Sequence, residues 1–180
     1  MSSLTAVPAP GSAPESAPES GGALSPAELL GITRELARDR ETWRALVQHT
    51  PTERWFTRLS ANDDHDVWLI GWDSYQGVDL HDHGGSSGAL YVVEGELLET
   101  STRREGVFLQ EQHLVAGTAR AFGPGHVHRV VNASATPATS VHVYSPPLVT
   151  MDFYSAGGGS LAHTHSEAAF GARSGRGELR

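Results

Sequence analysis

Apolar and polar positions follow two rhythms along this chain, one before residue 55 and another after it. Over 26–49, Leu29, Leu30, Ile32, Leu36, Trp43, Leu46 and Val47 recur at near-helical spacing. Ser25-Pro26-Ala27-Glu28 supplies the start signal: a Ser N-cap, Pro at the first helical position and Glu to close a capping box. The pattern predicts one or two helices over 26–49, ending before Thr50-Pro51. From Trp55 onward the runs are short and β-type, at 55–59, 67–75, 88–100, 106–114, 119–122, 128–133 and 139–144. Residues 79–83 form a further strand or strand end, followed by a bend at Gly84-Gly85-Ser86. Short strands at this spacing, with no helical segments between them, predict a mainly β sandwich or barrel carrying N-terminal helices.

The two ends read differently. Residues 1–23 are Pro, Ala, Ser and Gly with a repeated Ala-Pro-Glu-Ser. Such a stretch buries too little surface to offset its ordering entropy, so a disordered arm is expected. The folded domain is expected over 24–155. Residues 156–180 are Gly-, Ser- and Ala-rich and are expected to form a flexible tail, with His163-Thr164-His165 solvated within it.

Bulk composition removes several function classes. At 180 residues the chain suits one domain. Its formal charge is -8 with only 13 Lys and Arg. No basic stripe is present, which argues against a nucleic-acid partner. No apolar run reaches the length of a membrane span and no segment resembles a signal peptide, so a cytoplasmic protein is the expectation. Cysteine is absent, which rules out disulfides and leaves His or carboxylate side chains as ligands for any metal.

That last point gives weight to His81-Asp82-His83 and, some forty-five residues on, to His128 in Gly125-His126-Val127-His128. Alternate strand residues point to one face and stand about 6.5 Å apart, so the imidazoles of His81 and His83 can converge on one ion. A third imidazole from another strand completes a three-histidine site with open positions. His126 competes for the third place. His128 is preferred because it lies within the apolar run 127–131, where a buried imidazole needs a partner.

The stretches from Gly77 through Gly95 and from Gly117 through Asn132 resemble the two metal-binding motifs of the cupin superfamily. The second matches in the spacing of Gly125, His128 and Asn132. The first has Gly88 where the motif carries a glutamate ligand. In that departure, and in Gly95-Glu96-Leu97-Leu98-Glu99-Thr100 and Ser140-Val141-His142-Val143-Tyr144-Ser145-Pro146-Pro147, the chain resembles the cysteine dioxygenases, thiol dioxygenases of the cupin superfamily.

The resemblance implies a small cupin, an antiparallel jelly-roll β-barrel. It implies Fe(II) held by His81, His83 and His128, and oxidation of L-cysteine with O2 to cysteine sulfinate by a monomer. It also implies that Arg58 binds the substrate carboxylate and that Tyr144 hydrogen-bonds substrate or oxygen. His142 would orient Tyr144, with Ser140 behind it, and Trp72 would line the pocket. Family members that carry a cysteine at the Gly88 position link it to the tyrosine; here Tyr144 acts unmodified. The residues leave open 3-mercaptopropionate as substrate, a non-catalytic ligand-binding cupin, and zinc in place of iron.

Overall fold

The computed structural model describes residues 22–103 and 106–169. Most of the proposed disordered arm, residues 1–21, lies outside the described residues. Ser25 caps a helix α1 (Pro26–Arg38), with its side chain on the Glu28 N–H and the Glu28 side chain on the Ser25 backbone. A short α2 (Arg40–Trp43) and a 3-10 turn (Arg44–Leu46) follow.

Among the described residues eleven strands then form two antiparallel sheets. They are β1 (Trp55–Ala61), β2 (Asp66–Trp72), β3 (Gly77–His81), β4 (Ser87–Glu94), β5 (Glu96–Arg103), β6 (Gly106–Val115), β7 (Ala119–Phe122), β8 (His126–Val131), β9 (Ala138–Ser145), β10 (Thr150–Gly157) and β11 (Ser160–Ala168). One sheet runs β1-β2-β9-β4-β7, the other β11-β10-β3-β8-β5-β6. The mainly β expectation holds. Among the described residues no helix is long and apolar enough to cross a membrane.

Two cores explain why β2 reads as a continuous apolar run and why every residue of β9 is buried. Trp68, Ile70, Trp72, Leu90, Val92 and Leu97 fill the space between the sheets. The alternate residues Val67, Leu69, Val141 and Val143 pack outward against Leu29 and Trp43 of the helical cap. A strand buried on both faces loses its period-two signature. The single run at 88–100 is in fact two strands, divided at Gly95, whose φ of 73° suits glycine. Pro146 follows a cis peptide bond.

The expected flexible tail needs correction over its first part. Gly158 and Gly159, both at positive φ, turn the chain back, and β11 pairs with β10 along its length. His165 stacks on Phe153 with ring centroids 4.6 Å apart. Side chains of His163 and His165 remain about half exposed, which is why the segment lacks an apolar signature. Residues 170–180 lie outside the described residues.

Candidate metal centre

His81 and His128 face each other across the β3–β8 ladder. His83 lies two residues past His81, just beyond the end of β3, and all three imidazoles are buried. Their ring centroids stand 4.8–5.0 Å apart, and one ring nitrogen of each lies within 4.8 Å of the other two. Side-chain partners fix which nitrogen is presented. The Nδ1–H of His81 donates to the Asp79 carbonyl at 2.7 Å, and that of His128 to Glu99 Oε1 at 2.8 Å. Each leaves Nε2 as a lone pair. Nε2 of His83 is buried with no hydrogen-bond partner in the protein.

An orphaned imidazole nitrogen beside two others held in the ligating tautomer fits a metal ion. Burial, then mutual repulsion, holds His81 and His83 far below the usual histidine range; burial also lowers His128, against the pull of Glu99. The rings are therefore neutral, the form that binds metal.

Asp82, between His81 and His83, is turned away. Its carboxylate accepts from the Tyr154 hydroxyl at 2.7 Å and the Gly84 N–H at 3.0 Å, while its N–H donates to the Asp152 carbonyl. At Gly88, where the cupin motif carries glutamate, a Cβ would stand 2.4 Å from Phe122 and 3.0 Å from Tyr144. No side chain fits there without displacing Phe122. That ring lies between His83 and His126, 4.8 Å from each and near parallel to both. His126 bonds Glu99 through Nε2 at 3.2 Å and lies outside the triad.

A polar chain approaches from β9. Trp72 Nε1–H donates to Ser140 Oγ at 2.9 Å, Ser140 Oγ lies 2.8 Å from His142 Nε2, and His142 Nδ1 lies 3.0 Å from the Tyr144 hydroxyl. Alternation along β9 puts the three side chains on one face. Burial pulls His142 down to about 3 and pushes the Tyr144 phenol up, so both are neutral. Tyr144 packs 5.1 Å from the His83 ring.

Two arginines four residues apart lie differently with respect to the site. Arg58 is exposed, stacks 5.6 Å over Trp68, and acts on Asp66. Arg54 instead lies 5.1 Å over Trp72, and its charge acts on His81, His142 and Tyr144. Its Nε is buried without a hydrogen-bond partner, and desolvation lowers the guanidinium to about 10, still charged at neutral pH. The cause is register. Arg54, Phe56 and Arg58 share one face of the chain, but Arg58 sits opposite Trp68 while Trp55 sits opposite Gly71, bringing Arg54 beside Trp72.

Glu99 is a further buried polar residue at the site, one to which the sequence motifs attach no role. It follows Leu97 by two positions, on the same buried face of β5, and is 1% exposed. An acidic residue alternating with a core leucine is the signal that marks it.

Comparison with known proteins bears on this geometry. Residues 27–157 match the family described as cysteine dioxygenase type I. Cysteine dioxygenase type 1 of Homo sapiens is 26% identical over 140 residues, covering 72% of this chain and 70% of that protein. The Danio rerio protein of the same name is 30% identical over 99 residues; the chain spans about half the length of that relative (48%), and the match covers 48% of this chain. The crystal structure of TT1209 from Thermus thermophilus aligns with a TM-score of 0.51 at 25% identity, covering 58% of this chain and 93% of that one. A family match across most of the folded residues, laid over a three-histidine β-barrel site, shows that the chain belongs to the cysteine dioxygenase type I family of the cupin superfamily.

Proposed function

We propose that this chain is a non-heme Fe(II) thiol dioxygenase that oxidises L-cysteine with O2 to cysteine sulfinate. The observation that carries the reading is the half-buried Arg54, whose Nε is buried without a hydrogen-bond partner and which has no carboxylate partner among the described residues, set beside three neutral imidazoles. A partly desolvated cation without a counter-ion favours an anionic ligand. Family membership and the name shared by the curated relatives support a thiol as that ligand.

Arg54 takes the substrate carboxylate. Its planar fork pairs with two carboxylate oxygens, and stacking on Trp72 fixes its plane. His81, His83 and His128 would hold the ion. With no anionic protein ligand among them, Fe(II) would keep its double positive charge and would supply affinity for a thiolate and reactivity with dioxygen. Both oxygen atoms go to sulfur, which loses the four electrons that dioxygen gains, so no external reductant enters.

Tyr144 is the proton donor at the reacting end. Trp72 N–H is a donor only, so Ser140 Oγ accepts from it, and in the tautomer that suits this role the Ser140 hydroxyl donates to His142 Nε2. His142 then carries its proton on Nδ1 and donates to the Tyr144 oxygen. That orients the Tyr144 phenol to act on substrate or oxygen. Trp72 serves as the floor under Arg54 and the anchor of this chain. Arg58 stays at the edge on Trp68, outside the site.

The shift from Arg58 to Arg54 also opens a second reading. L-Cysteine and 3-mercaptopropionate both carry the carboxylate that Arg54 would bind. Oxygen uptake by iron-loaded protein with each thiol separates them. Faster sulfinate formation from L-cysteine is expected; faster turnover of 3-mercaptopropionate would reverse the substrate assignment. No uptake with either, in a folded iron-loaded sample, would favour a ligand-binding cupin.

A further inference from the structure

Glu99 touches a triad histidine, yet the proposed reaction gives it no part. It projects from β5 into the space behind His128, 1% exposed. Oε1 accepts from His128 Nδ1 at 2.8 Å and from His126 Nε2 at 3.2 Å, and Oε2 lies 3.1 Å from Arg120 Nε on β7 as an ion pair without hydrogen-bond alignment. Three strands thus converge on one carboxylate. Burying an ionised carboxylate is costly unless it is paired and hydrogen-bonded. Nothing in the fold requires that cost here, since Leu97, two residues earlier on the same face, packs into the core without it.

We propose that Glu99 is the anionic positioning residue of the metal centre, supplying from behind His128, through a hydrogen bond, the negative charge that Gly88 cannot supply. The inference rests on the metal assignment above. Its contact with His128 forces the proton onto Nδ1 and turns Nε2 toward His81 and His83. Its charge increases the basicity of that imidazole and offsets part of the ion's charge without occupying a coordination position. Arg120 and His126 brace it. Arg120 also sets the balance, because it neutralises part of the same charge from the far side. Phe122 closes the alternative route: its ring occupies the space beside Gly88 that a directly ligating side chain would need.

An electrostatic role and a packing role give different results in two variants of the full chain. Glu99→Gln keeps the shape and an acceptor oxygen but removes the charge. Arg120→Gln, at a side chain 35% exposed, removes the opposing charge and leaves the carboxylate. Anaerobic Fe(II) titration against a chelator and the Fe(III)/Fe(II) midpoint potential are measured for both. Glu99→Gln is expected to weaken Fe(II) binding by about 10- to 100-fold and to raise the potential. Arg120→Gln is expected to lower the potential. Potentials that stay at the wild-type value, or move the same way in both variants, would overturn the proposal. Wild-type protein that takes up no iron would overturn the metal assignment itself, and the two failures are distinguishable.

Discussion

Gly88 and Phe122 occupy one volume. A Cβ at residue 88 would stand 2.4 Å from the Phe122 ring, so the glycine and the aromatic ring are a single choice made at two positions on paired strands. The choice closes the place of a carboxylate ligand and stacks a ring on His83.

The first prediction concerns that pair. Overpacking a buried site costs about 1–3 kcal/mol, so Gly88→Ala is expected to lose stability in that range. In a Phe122→Ala background the same change is expected to cost much less. A double-mutant cycle by urea unfolding reads the difference, and additive costs would show that the two positions are independent.

Arg54 and Arg58 make opposite predictions. A charge-assisted hydrogen bond contributes about 1.5–3 kcal/mol, so Arg54→Gln should lower kcat/KM for L-cysteine by about 10- to 150-fold. Arg58→Gln, on the exposed side of Trp68, should change it little. The loss at Arg54 should shrink for cysteamine, which lacks a carboxylate. Equal losses in the two variants would return the carboxylate contact to Arg58.

Much of this site is legible in the sequence, and the exceptions have physical causes. His81 and His83 stand out because a period of two on a strand end leaves little else for a buried imidazole to do. The capping box at Ser25 and Glu28 is local chemistry and needs no tertiary information. Arg54 and Arg58 share a face, however, and only the β1–β2 register tells which lies over Trp72. Strand β11 escapes notice because its side chains are mostly exposed and its pairing is read from β10 rather than from its own residues. Glu99 looks like an ordinary charged strand residue until its alternation with Leu97 is set against burial.

Tyr144→Phe removes one donor at the reacting end. Loss of a single preorganised donor typically costs about 10²–10³ in kcat. That loss is expected with KM and Fe(II) uptake near wild type, since the phenol binds neither the carboxylate nor the ion. A change confined to KM would assign Tyr144 to substrate binding instead.

Acid should destabilise the metal-free protein. His81, His83, His128 and His142 all have folded-state values below the ordinary 6.5. The unfolded chain therefore binds more protons, and stability falls as pH drops through about 6.5, continuing to about 3 for His142. Each group contributes up to about 1.4 kcal/mol per pH unit in that window. Asp66, raised by burial, opposes this toward the acid end. Tm of the metal-free protein is expected to fall steadily between pH 7 and pH 5; a flat or rising Tm would mean that the histidines are not buried as neutral rings.

The most direct test of the central claim is a single anaerobic experiment. Fe(II) is titrated into wild-type protein and into His83→Ala, and each sample then receives L-cysteine and a measured pulse of oxygen. Wild type is expected to bind one iron per chain and to form one sulfinate per O2 consumed, while His83→Ala does neither. Wild type that binds iron yet yields no sulfinate from L-cysteine or 3-mercaptopropionate, or a His83→Ala variant that retains the activity, would contradict the account.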